Sequence, residues 1–181
     1  MILSRPEILE ALLQNRVSVD PPPEAQDIDT TSIDLRMGRP LWVWKAPPAS
    51  GPAPVIDLED FEYHEFSKNN LVQVNEENGG YYLRPGTVYL ASTHEKVRFP
   101  AGSRLAGRVE GKSQFARLGL TVHMTAPMIH CGTGLGPITL EMYNHGPYTL
   151  RVVPGQSRIC QLIFEEVTSA PEERTGRTFT P

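Results

Sequence analysis

Residues 138–167 read ITLEMYNHGPYTLRVVPGQSRICQLIFEEV, and this stretch decides the fold class. It holds three β-rich runs, at 138–143, 149–153 and 159–167, which Gly-Pro and Pro-Gly turns separate. β-branched and aromatic residues favour strands, whereas glycine and proline favour the turns between strands. The stretch therefore predicts short antiparallel strands that are joined by tight turns.

Working outward, two further β-rich runs lie at 81–83 and 87–92, after a change of composition near Gly80. Residues 46–54 (APPASGPAP) are loop by composition, and residues 57–70 carry mixed charge without a clear period. The pattern predicts a mainly β fold, an antiparallel sandwich or barrel. Helix is expected only at the start of the chain and in one short central turn near Phe115.

The start of the chain is predicted to be helical. Ser4-Arg5-Pro6-Glu7 has the pattern of a capping box with proline in the first turn. Apolar residues follow at helical spacing, namely Ile8, Leu9, Leu12 and Leu13. We expect residues 1–20 to form an N-terminal helical segment whose helix ends near Asn15, before the extended passage at 21–23 (PPP).

The composition is that of an ordinary globular protein. The chain has 181 residues, of which 39% are hydrophobic and 21% are charged. This length suits one well-buried core, so we expect residues 1–181 to form a single domain with a short polar tail at 168–181. The formal net charge of −4 gives no general attraction to nucleic acid or to an anionic membrane, and neither is an expected partner.

Hydropathy and cysteine content bear on where the protein is located and on the redox state of its thiols. No apolar run approaches the length of a membrane helix, and the N-terminus lacks the pattern of a signal peptide. The two cysteines, Cys131 and Cys160, form no disulfide framework. We therefore expect reduced thiols in a cytoplasmic protein.

Residues 110–120 (EGKSQFARLGL) concentrate groups that suit a polyphosphate. Lys112 supplies a point charge, Arg117 a planar fork of donors, and Ser113 and Gln114 neutral hydrogen bonds. A P-loop is excluded, because that motif requires a second glycine at the place where this chain has alanine. Taken alone, the segment could also be an exposed turn with scattered charges.

A second candidate is Glu141, which ends the apolar and β-branched run ITLE at 138–141. A carboxylate held at the end of such a run is suited to proton transfer. The alternative is that Glu141 is solvated or paired with a neighbouring arginine. For Asp34 and Arg36 we prefer a structural interpretation, in which ion pairs tie the N-terminal segment to the sheet. Two tryptophans that alternate on a predicted strand, Trp42 and Trp44, are interpreted as packing residues.

The sequence predicts no metal site. The zinc-dependent nucleobase deaminases carry H-x-E and P-C-x-x-C, and neither pattern occurs in this chain. His123, His130 and Cys131 are the residue types that zinc prefers, but isolated residues of these types more often pack or form hydrogen bonds. The glycine-rich segment at 132–136 (GTGLG) lacks the dinucleotide-binding spacing and predicts a tight turn.

Several motifs together resemble the dCTP deaminase branch of the dUTPase-like superfamily. They occur in the family's order and extend through most of the chain: SIDLRMG (32–38), YLRPG (82–86), EGKSQFARLGL (110–120), TVHMTA (121–126), ITLE (138–141) and PGQSRICQL (154–162). The resemblance implies a dUTPase-like antiparallel β-barrel or sandwich with a short N-terminal helix. It also implies a homotrimer with sites between subunits and a deoxynucleotide triphosphate as the substrate.

The activity that the resemblance implies is hydrolytic deamination of dCTP to dUTP and ammonia, without zinc. Glu141 would be the proton shuttle, taking a proton from a water that attacks C4 of cytosine. Ser113 and the carbonyl of Ala126 would position that water. Arg117 would hold the carboxylate and stabilise the charge that develops on the ring.

The same resemblance implies a set of nucleotide-binding residues. The predicted contacts are Lys112, Ser113, Gln114, Arg117, His130, Thr139, Leu140 and Gln161. Lys112, Ser113 and Gln114 would bind phosphates, with Mg²⁺ carried on the triphosphate. Thr139 and Leu140 would recognise the base partly through backbone groups.

Departures from the family pattern leave alternatives open. The family's I-D-P-G appears as IHCG at 129–132, so His130 replaces an aspartate that receives the sugar hydroxyl and acts as a base in dUTPases. The family's closing segment is not recognisable, and the tail offers only Arg174 and Arg177. The alternatives are a dUTPase-like or bifunctional dCTP deaminase/diphosphatase and a non-catalytic nucleotide-binding relative.

Overall fold

The computed structural model describes residues 1–52, 54–169 and 171. The helices are α1 (Arg5–Leu13), α2 (Tyr63–Asn70) and α3 (Ser113–Ala116). The first six strands are β1 (Ser18–Asp20), β2 (Ser32–Arg36), β3 (Trp42–Trp44), β4 (Leu71–Gln73), β5 (Tyr81–Leu83) and β6 (Val88–Arg98). The others are β7 (Leu105–Gly111), β8 (Leu120–Thr121), β9 (Met128–Ile129), β10 (Gly136–Asn144), β11 (Leu150–Val152) and β12 (Arg158–Glu166).

The strands form two larger sheets and a two-stranded ribbon. The first sheet has the order β4-β3-β6-β10-β8, with β1 also paired to β6. The second has the order β2-β12-β7-β9, and β11 pairs with β5 in the ribbon. Every pairing among these strands is antiparallel. The predicted mainly β, antiparallel architecture with a short N-terminal helix is therefore confirmed.

One cluster of buried apolar side chains joins the two larger sheets. Successive side chains of a strand point to opposite faces, so each strand gives alternate residues to this core. Its fully buried members include Ile33 and Leu35 of β2, Leu140 and Met142 of β10, and Leu162 and Phe164 of β12. The polar residues between them lie on the outer faces, which is where the site residues occur.

Helix α1 begins as the sequence predicts. The Glu7 carboxylate accepts hydrogen bonds from the Ser4 backbone N–H and from the Ser4 hydroxyl, both at 2.7 Å. The Ser4 backbone bond is the larger of the two causes that lower the pKa of Glu7. The helix stops at Leu13, and Asn15 adopts a left-handed conformation with φ of 55°. The predicted helix end near Asn15 is confirmed.

Helix α2 was not predicted, and the expectation of helix only at the start and in one short central turn is wrong there. None of the residues of α2 is buried, so no apolar stripe marks it in the sequence. Its contact with the sheet is aromatic: the rings of Phe66 and Trp44 lie 5.6 Å apart. The predicted short turn near Phe115 is confirmed as α3.

Strand β6 is longer than the run at 87–92 that predicted it. It continues to Arg98, and its buried positions include Glu95, only 2% exposed. This carboxylate accepts hydrogen bonds from the backbone N–H of Arg36 at 2.8 Å and from its guanidinium at 2.6 Å. A buried charge is tolerated when it is paired in this way.

No helix in the described part of the chain is long and apolar enough to cross a membrane. The predicted polar tail lies largely outside the described residues, and Arg174 and Arg177 are among those that are not described.

Candidate active site

Strand β10 holds Glu141 on its outer face. Its neighbours Leu140 and Met142 are fully buried, so the alternation of the strand turns Glu141 away from the core. The Glu141 side chain is half-buried, and Thr139 on the same face is exposed. Among the described residues, no hydrogen bond or ion pair engages the Glu141 carboxylate, so it is available to a ligand.

One edge of β10 is largely free. The strand pairs with β6 from Gly136 to Tyr143, but with β8 only at Tyr143 and Asn144. Within the described ranges, the edge beside Thr139 and Leu140 therefore has no strand partner on the side away from β6. Unpaired backbone donors and acceptors on such an edge can bind another chain or a flat polar ligand.

The turn that leads into β10 is fixed by backbone contacts. Gly132 has a φ of 90°, and its N–H donates to the carbonyl of Phe99 at 2.7 Å. The thiol of Cys131 lies 3.3 Å from the carbonyl of Ala101. His130 lies just after β9 and is exposed. The turn lies at Cys131 and Gly132, at the start of the segment 132–136 for which a tight turn was predicted, and residues 133–134 are irregular.

The segment 112–117 forms the single turn α3 and the residues that flank it. Ser113, Gln114 and Arg117 are exposed. The helical bonds run from the N–H of Ala116 to the carbonyl of Lys112 at 3.0 Å, and from the N–H of Arg117 to the carbonyl of Ser113 at 3.1 Å. Within the described part of the chain the Arg117 guanidinium has no ion pair.

Lys112 is not free. Its ammonium donates to the carboxylate of Asp34 on β2. Gln161 on β12 pairs in register with Asp34, accepts a hydrogen bond from the Ser32 hydroxyl at 3.1 Å, and donates to the carbonyl of Gly111 at 3.3 Å. The structure therefore brings Lys112 and Gln161 together on the outer face of the second sheet.

Glu141 and the segment 112–117 lie apart within one chain. Thr121 of β8 pairs with Tyr143, and the carbonyl of Gly119 accepts a hydrogen bond from the N–H of His145 at 2.8 Å. Glu141 lies beyond Tyr143 in the opposite direction, so Gly119, two residues after the segment, meets the chain of β10 four residues from Glu141, roughly 13 Å at the rise of a strand. No described hydrogen bond or ion pair joins Glu141 to Ser113 or Arg117.

Asp34 and Arg36 form ion pairs that connect elements, as the structural interpretation expected. Arg36 pairs with Glu95 of β6, and Asp34 pairs with Lys112. The sequence did not identify either partner. Trp44 of β3 packs against Phe66, in agreement with its predicted packing role.

The three residues that were weighed as zinc ligands do not gather. Within residues 1–52, 54–169 and 171, no three His, Cys, Asp or Glu side chains are grouped so that they could hold a metal ion. His123 instead has its Nε2 3.8 Å from a carboxylate oxygen of Glu110, and its Nδ1 is buried without a hydrogen-bond partner. Both Cys131 and Cys160 are free, and burial raises the pKa of the Cys160 thiol well above its usual range.

Sequence reasoning missed one residue near Glu141. The pKa of the Tyr63 phenol on α2 is raised, first by burial and then by the negative charge of Glu141. The only signal in the sequence was the aromatic content of residues 61–66 (FEYHEF). Nothing in that segment indicated which face of the sheet it covers.

Comparisons with known proteins agree on one family. Residues 2–167 match the model of a family described as dCTP deaminase-like. A protein of Methanosphaera stadtmanae named "dCTP deaminase, dUMP-forming" is 36% identical over 97% of this chain and 84% of its own length. A protein of Rhodospirillum rubrum named dCTP deaminase is 38% identical over 93% of this chain and 84% of its own.

A solved structure shares the fold. The crystal structure of a 2′-deoxycytidine 5′-triphosphate deaminase from Agrobacterium tumefaciens superposes with a TM-score of 0.66 at 23% sequence identity. The match covers 90% of this chain, which spans only 47% of that longer chain. At this identity the likeness concerns the fold.

Proposed function

The chain belongs to the dCTP deaminase-like family, and from this premise we propose that it catalyses the hydrolytic deamination of dCTP to dUTP and ammonia. The observation that carries the proposal is the position of Glu141. It is a half-buried carboxylate with no partner among the described residues, beside a free strand edge. Such a group can accept and return protons next to a bound base.

In the proposed reaction Glu141 takes a proton from the water that attacks C4 of cytosine. A tetrahedral carbon results, with the former water oxygen attached to it. Glu141 gives this proton to N3. It then takes the remaining hydroxyl proton of the tetrahedral carbon and gives it to the amino group, which leaves as ammonia as the C4 carbonyl of uracil forms. Each step is a proton transfer over hydrogen-bond distance, which is the work that a positioned carboxylate does well.

The water and the developing charge need further groups. We assign the water to the Ser113 hydroxyl and the Ala126 carbonyl, and both residues are exposed and able to meet a ligand. Arg117 is exposed and without an ion pair in the described chain, so its guanidinium is free to hold the Glu141 carboxylate and to stabilise charge on the ring.

A second copy of the chain completes the site in this proposal. Gly119, just after the segment 112–117, meets the chain of β10 roughly 13 Å along the strand from Glu141, and no described hydrogen bond joins the segment to Glu141. We therefore assign the Ser113 and the Glu141 of one site to different copies. In a symmetric homotrimer, the segment 112–117 of one copy would lie against strand β10 of the next copy. This arrangement would form three identical sites. The free edge of β10 supports this arrangement.

The triphosphate is assigned to Lys112, Gln114 and Gln161. Lys112 and Gln161 already lie on one surface, and Gln114 is exposed beside them. The Lys112 ammonium must turn from Asp34 or share itself between Asp34 and the phosphates. Mg²⁺ enters on the triphosphate, where it offsets part of the charge that these residues meet.

The base is assigned to the free edge of β10. The Leu140 side chain is fully buried, so Leu140 contributes only its backbone groups. Thr139 is exposed and can use both its backbone and its hydroxyl. A strand edge offers donors and acceptors at fixed spacing, which suits the hydrogen-bonding edge of a pyrimidine.

We propose that dUTP is the final product, although the relative from Methanosphaera stadtmanae is named as dUMP-forming. Cleavage to dUMP needs a second water, activated near the Mg²⁺-bound triphosphate. At the position of the family aspartate this chain has His130, which lacks the carboxylate for that task. His130 is exposed and is assigned to nucleotide binding.

The test is incubation of the purified protein with dCTP and, separately, with dUTP, both with Mg²⁺. Products are resolved by ion-exchange chromatography and ammonia is assayed in parallel. The proposal expects dUTP and ammonia from dCTP, and unchanged dUTP.

A zinc chelator is expected to leave the rate unchanged, whereas removal of Mg²⁺ should lower it. Release of dUMP would make the enzyme bifunctional. The absence of any product, with thermal stabilisation by dCTP, would indicate a non-catalytic binding protein.

A further inference from the structure

Helix α2 and the residues before it cover part of the outer face of the first sheet with aromatic rings. The ring centroid of Trp44 lies 6.4 Å from that of Tyr63 and 5.6 Å from that of Phe66. Phe61 lies 6.3 Å from Tyr63 and 5.3 Å from Phe66. We call these four residues the aromatic cluster. Its edge-to-face contacts fix the Tyr63 ring in place.

The aromatic cluster lies on the same sheet face as Glu141. Trp42 pairs in register with Leu90, and Leu90 pairs with Glu141. Directly paired residues of antiparallel strands share a face, and so do residues two apart on one strand, so Trp42, Trp44 and Glu141 all point the same way. Trp44, which Tyr63 contacts, lies two strand spacings across and two residues along from Glu141, so their backbones are roughly 12 Å apart. Two facing side chains and one water can span this distance.

The Tyr63 hydroxyl is available and electrically coupled to Glu141. Tyr63 is 41% exposed, and its hydroxyl has no hydrogen-bond partner among the described residues. Burial and the charge of Glu141 raise the pKa of its phenol. The ring of His64 lies 6.0 Å from that of Tyr63. The other charged groups on or against α2 are the exposed carboxylates Glu62 and Glu65, Lys68 of its last turn, and Lys45, whose ammonium donates to the carbonyl of Asn69 at 2.6 Å.

We propose that Tyr63 is a positioning residue for Glu141: its hydroxyl donates a hydrogen bond to one bridging water, which donates in turn to the Glu141 carboxylate. This bridge keeps one carboxylate oxygen turned toward the attacking water while the other accepts from the bridging water. The proposal rests on the proton-transfer role of Glu141 that is proposed above. It adds a residue from α2, an element that carries none of the family motifs quoted above.

The kinetic test removes only the hydroxyl. Tyr63→Phe keeps the ring in the aromatic cluster, so we expect kcat for dCTP to fall about tenfold or more, the usual worth of a hydrogen bond to a charged group. KM should stay within about threefold, because the bond orients the proton acceptor and does not hold the nucleotide. Tyr148→Phe is the matched control, since Tyr148 is 66% exposed, and its kcat should not change.

Two kinetic outcomes would overturn the proposal. Unchanged kcat in Tyr63→Phe would mean that the hydroxyl does nothing for the reaction. A fall in kcat for Tyr63→Leu, but not for Tyr63→Phe, would assign Tyr63 a packing role only. Thermal unfolding of both variants separates loss of the fold from loss of positioning.

A second measurement does not depend on turnover. In protein labelled with ¹³C at the tyrosine ring, the Tyr63 signal is assigned through Tyr63→Phe and followed as a function of pH. In Glu141→Gln the Tyr63 pKa should fall toward its ordinary value, because the negative charge that raises it is gone. An unchanged Tyr63 pKa would overturn the contact. If the wild-type protein failed to deaminate dCTP, this titration would still show whether Tyr63 and Glu141 interact. Failure of the proposed function can therefore be told apart from failure of the proposed Tyr63–Glu141 contact.

Discussion

Strand β10 and the segment 112–117 carry the two halves of the candidate site, and the chain holds them in different ways. The position of Glu141 is set by the core, because Leu140 and Met142 on either side of it are fully buried. Most of the 112–117 side chains are exposed, and the tie that Lys112 makes to the sheet is its ion pair with Asp34. A ligand can displace one partner of an ion pair, whereas it cannot take the place of buried core side chains.

This difference predicts two kinds of effect for substitutions. Substitutions at the buried positions of β10 should cost stability, while those at exposed site residues should cost binding or rate and leave the fold intact. The following experiments test that division, from the largest expected effect to the smallest.

Glu141→Gln should have the largest effect. Glutamine keeps the shape of the side chain but cannot carry the proton, so kcat for dCTP should fall by about 10²–10⁴-fold. The midpoint of thermal unfolding and the affinity for dCTP measured by calorimetry should stay close to those of the wild-type protein. Glu166→Gln, at the exposed end of β12, is the control. Retained turnover in Glu141→Gln would remove its assigned role.

Leu140→Ala should chiefly destabilise the protein. The side chain is fully buried, so the substitution opens a cavity and should lower the free energy of unfolding by about 2–5 kcal/mol. Thr139→Ala, next to it and exposed, should change that free energy by less than about 0.5 kcal/mol. Urea denaturation of both variants makes the comparison, and equal losses would contradict the account of β10 as a strand held by its core side.

Arg117→Ala should lower kcat by about a hundredfold, because a donor aimed at developing charge is removed. The free energy of unfolding should not change, since Arg117 is exposed and has no ion pair in the described chain. Arg98→Ala, another exposed arginine, controls for the loss of one positive charge. If Arg117→Ala unfolded more easily but turned over normally, the residue would be structural.

Lys112→Ala should have the smallest effect of the four. Its proposed role is phosphate binding, so KM for dCTP should rise about tenfold while kcat stays within about threefold. Lys112→Arg, which keeps the positive charge, should behave nearly as the wild type. A loss of kcat at unchanged KM in Lys112→Ala would move Lys112 into the chemical step.

β-rich runs bounded by turn residues were enough to predict the fold class and strands β5, β6, β10, β11 and β12, whereas β2 and β7 were not predicted. The runs at 138–143 and 159–167 correspond to β10 and β12, because turn residues bound them and their alternation matches their burial. The pattern failed at residues 93–98, where β6 continues. Glu95 occupies a buried position there. This charged residue interrupts the alternation of apolar and polar residues by which a strand is predicted. Arg36, far away in sequence, is what makes that burial tolerable.

Helix α2 could not be predicted for a related reason. It buries none of its residues fully, and its stability comes from rings that meet Trp44 and from local bonds such as the one from the Asn70 side chain to the carbonyl of Phe66. Neither kind of contact produces a helical period of apolar residues in the sequence.

The site was predicted as a set of residues but not as an arrangement. The motif at 110–120 predicted Lys112 and Arg117 as phosphate-binding and catalytic cations, which stays a prediction. The partner of Lys112 lies on β2, and only the fold brings Asp34 to it. Tyr63 carried no motif at all. The separation of Glu141 from the segment 112–117 also follows from strand register, which the sequence does not specify.

The most direct test of the account is complementation between two inactive variants, Glu141→Gln and Arg117→Ala. Each is unfolded, mixed with the other in equal amounts and refolded, and dCTP deamination is measured against each variant refolded alone. If every site combines Glu141 of one copy with Arg117 of the next, random trimers regain about a quarter of the wild-type rate. A mixture no more active than the variants alone would contradict the account, because both groups would then belong to one chain.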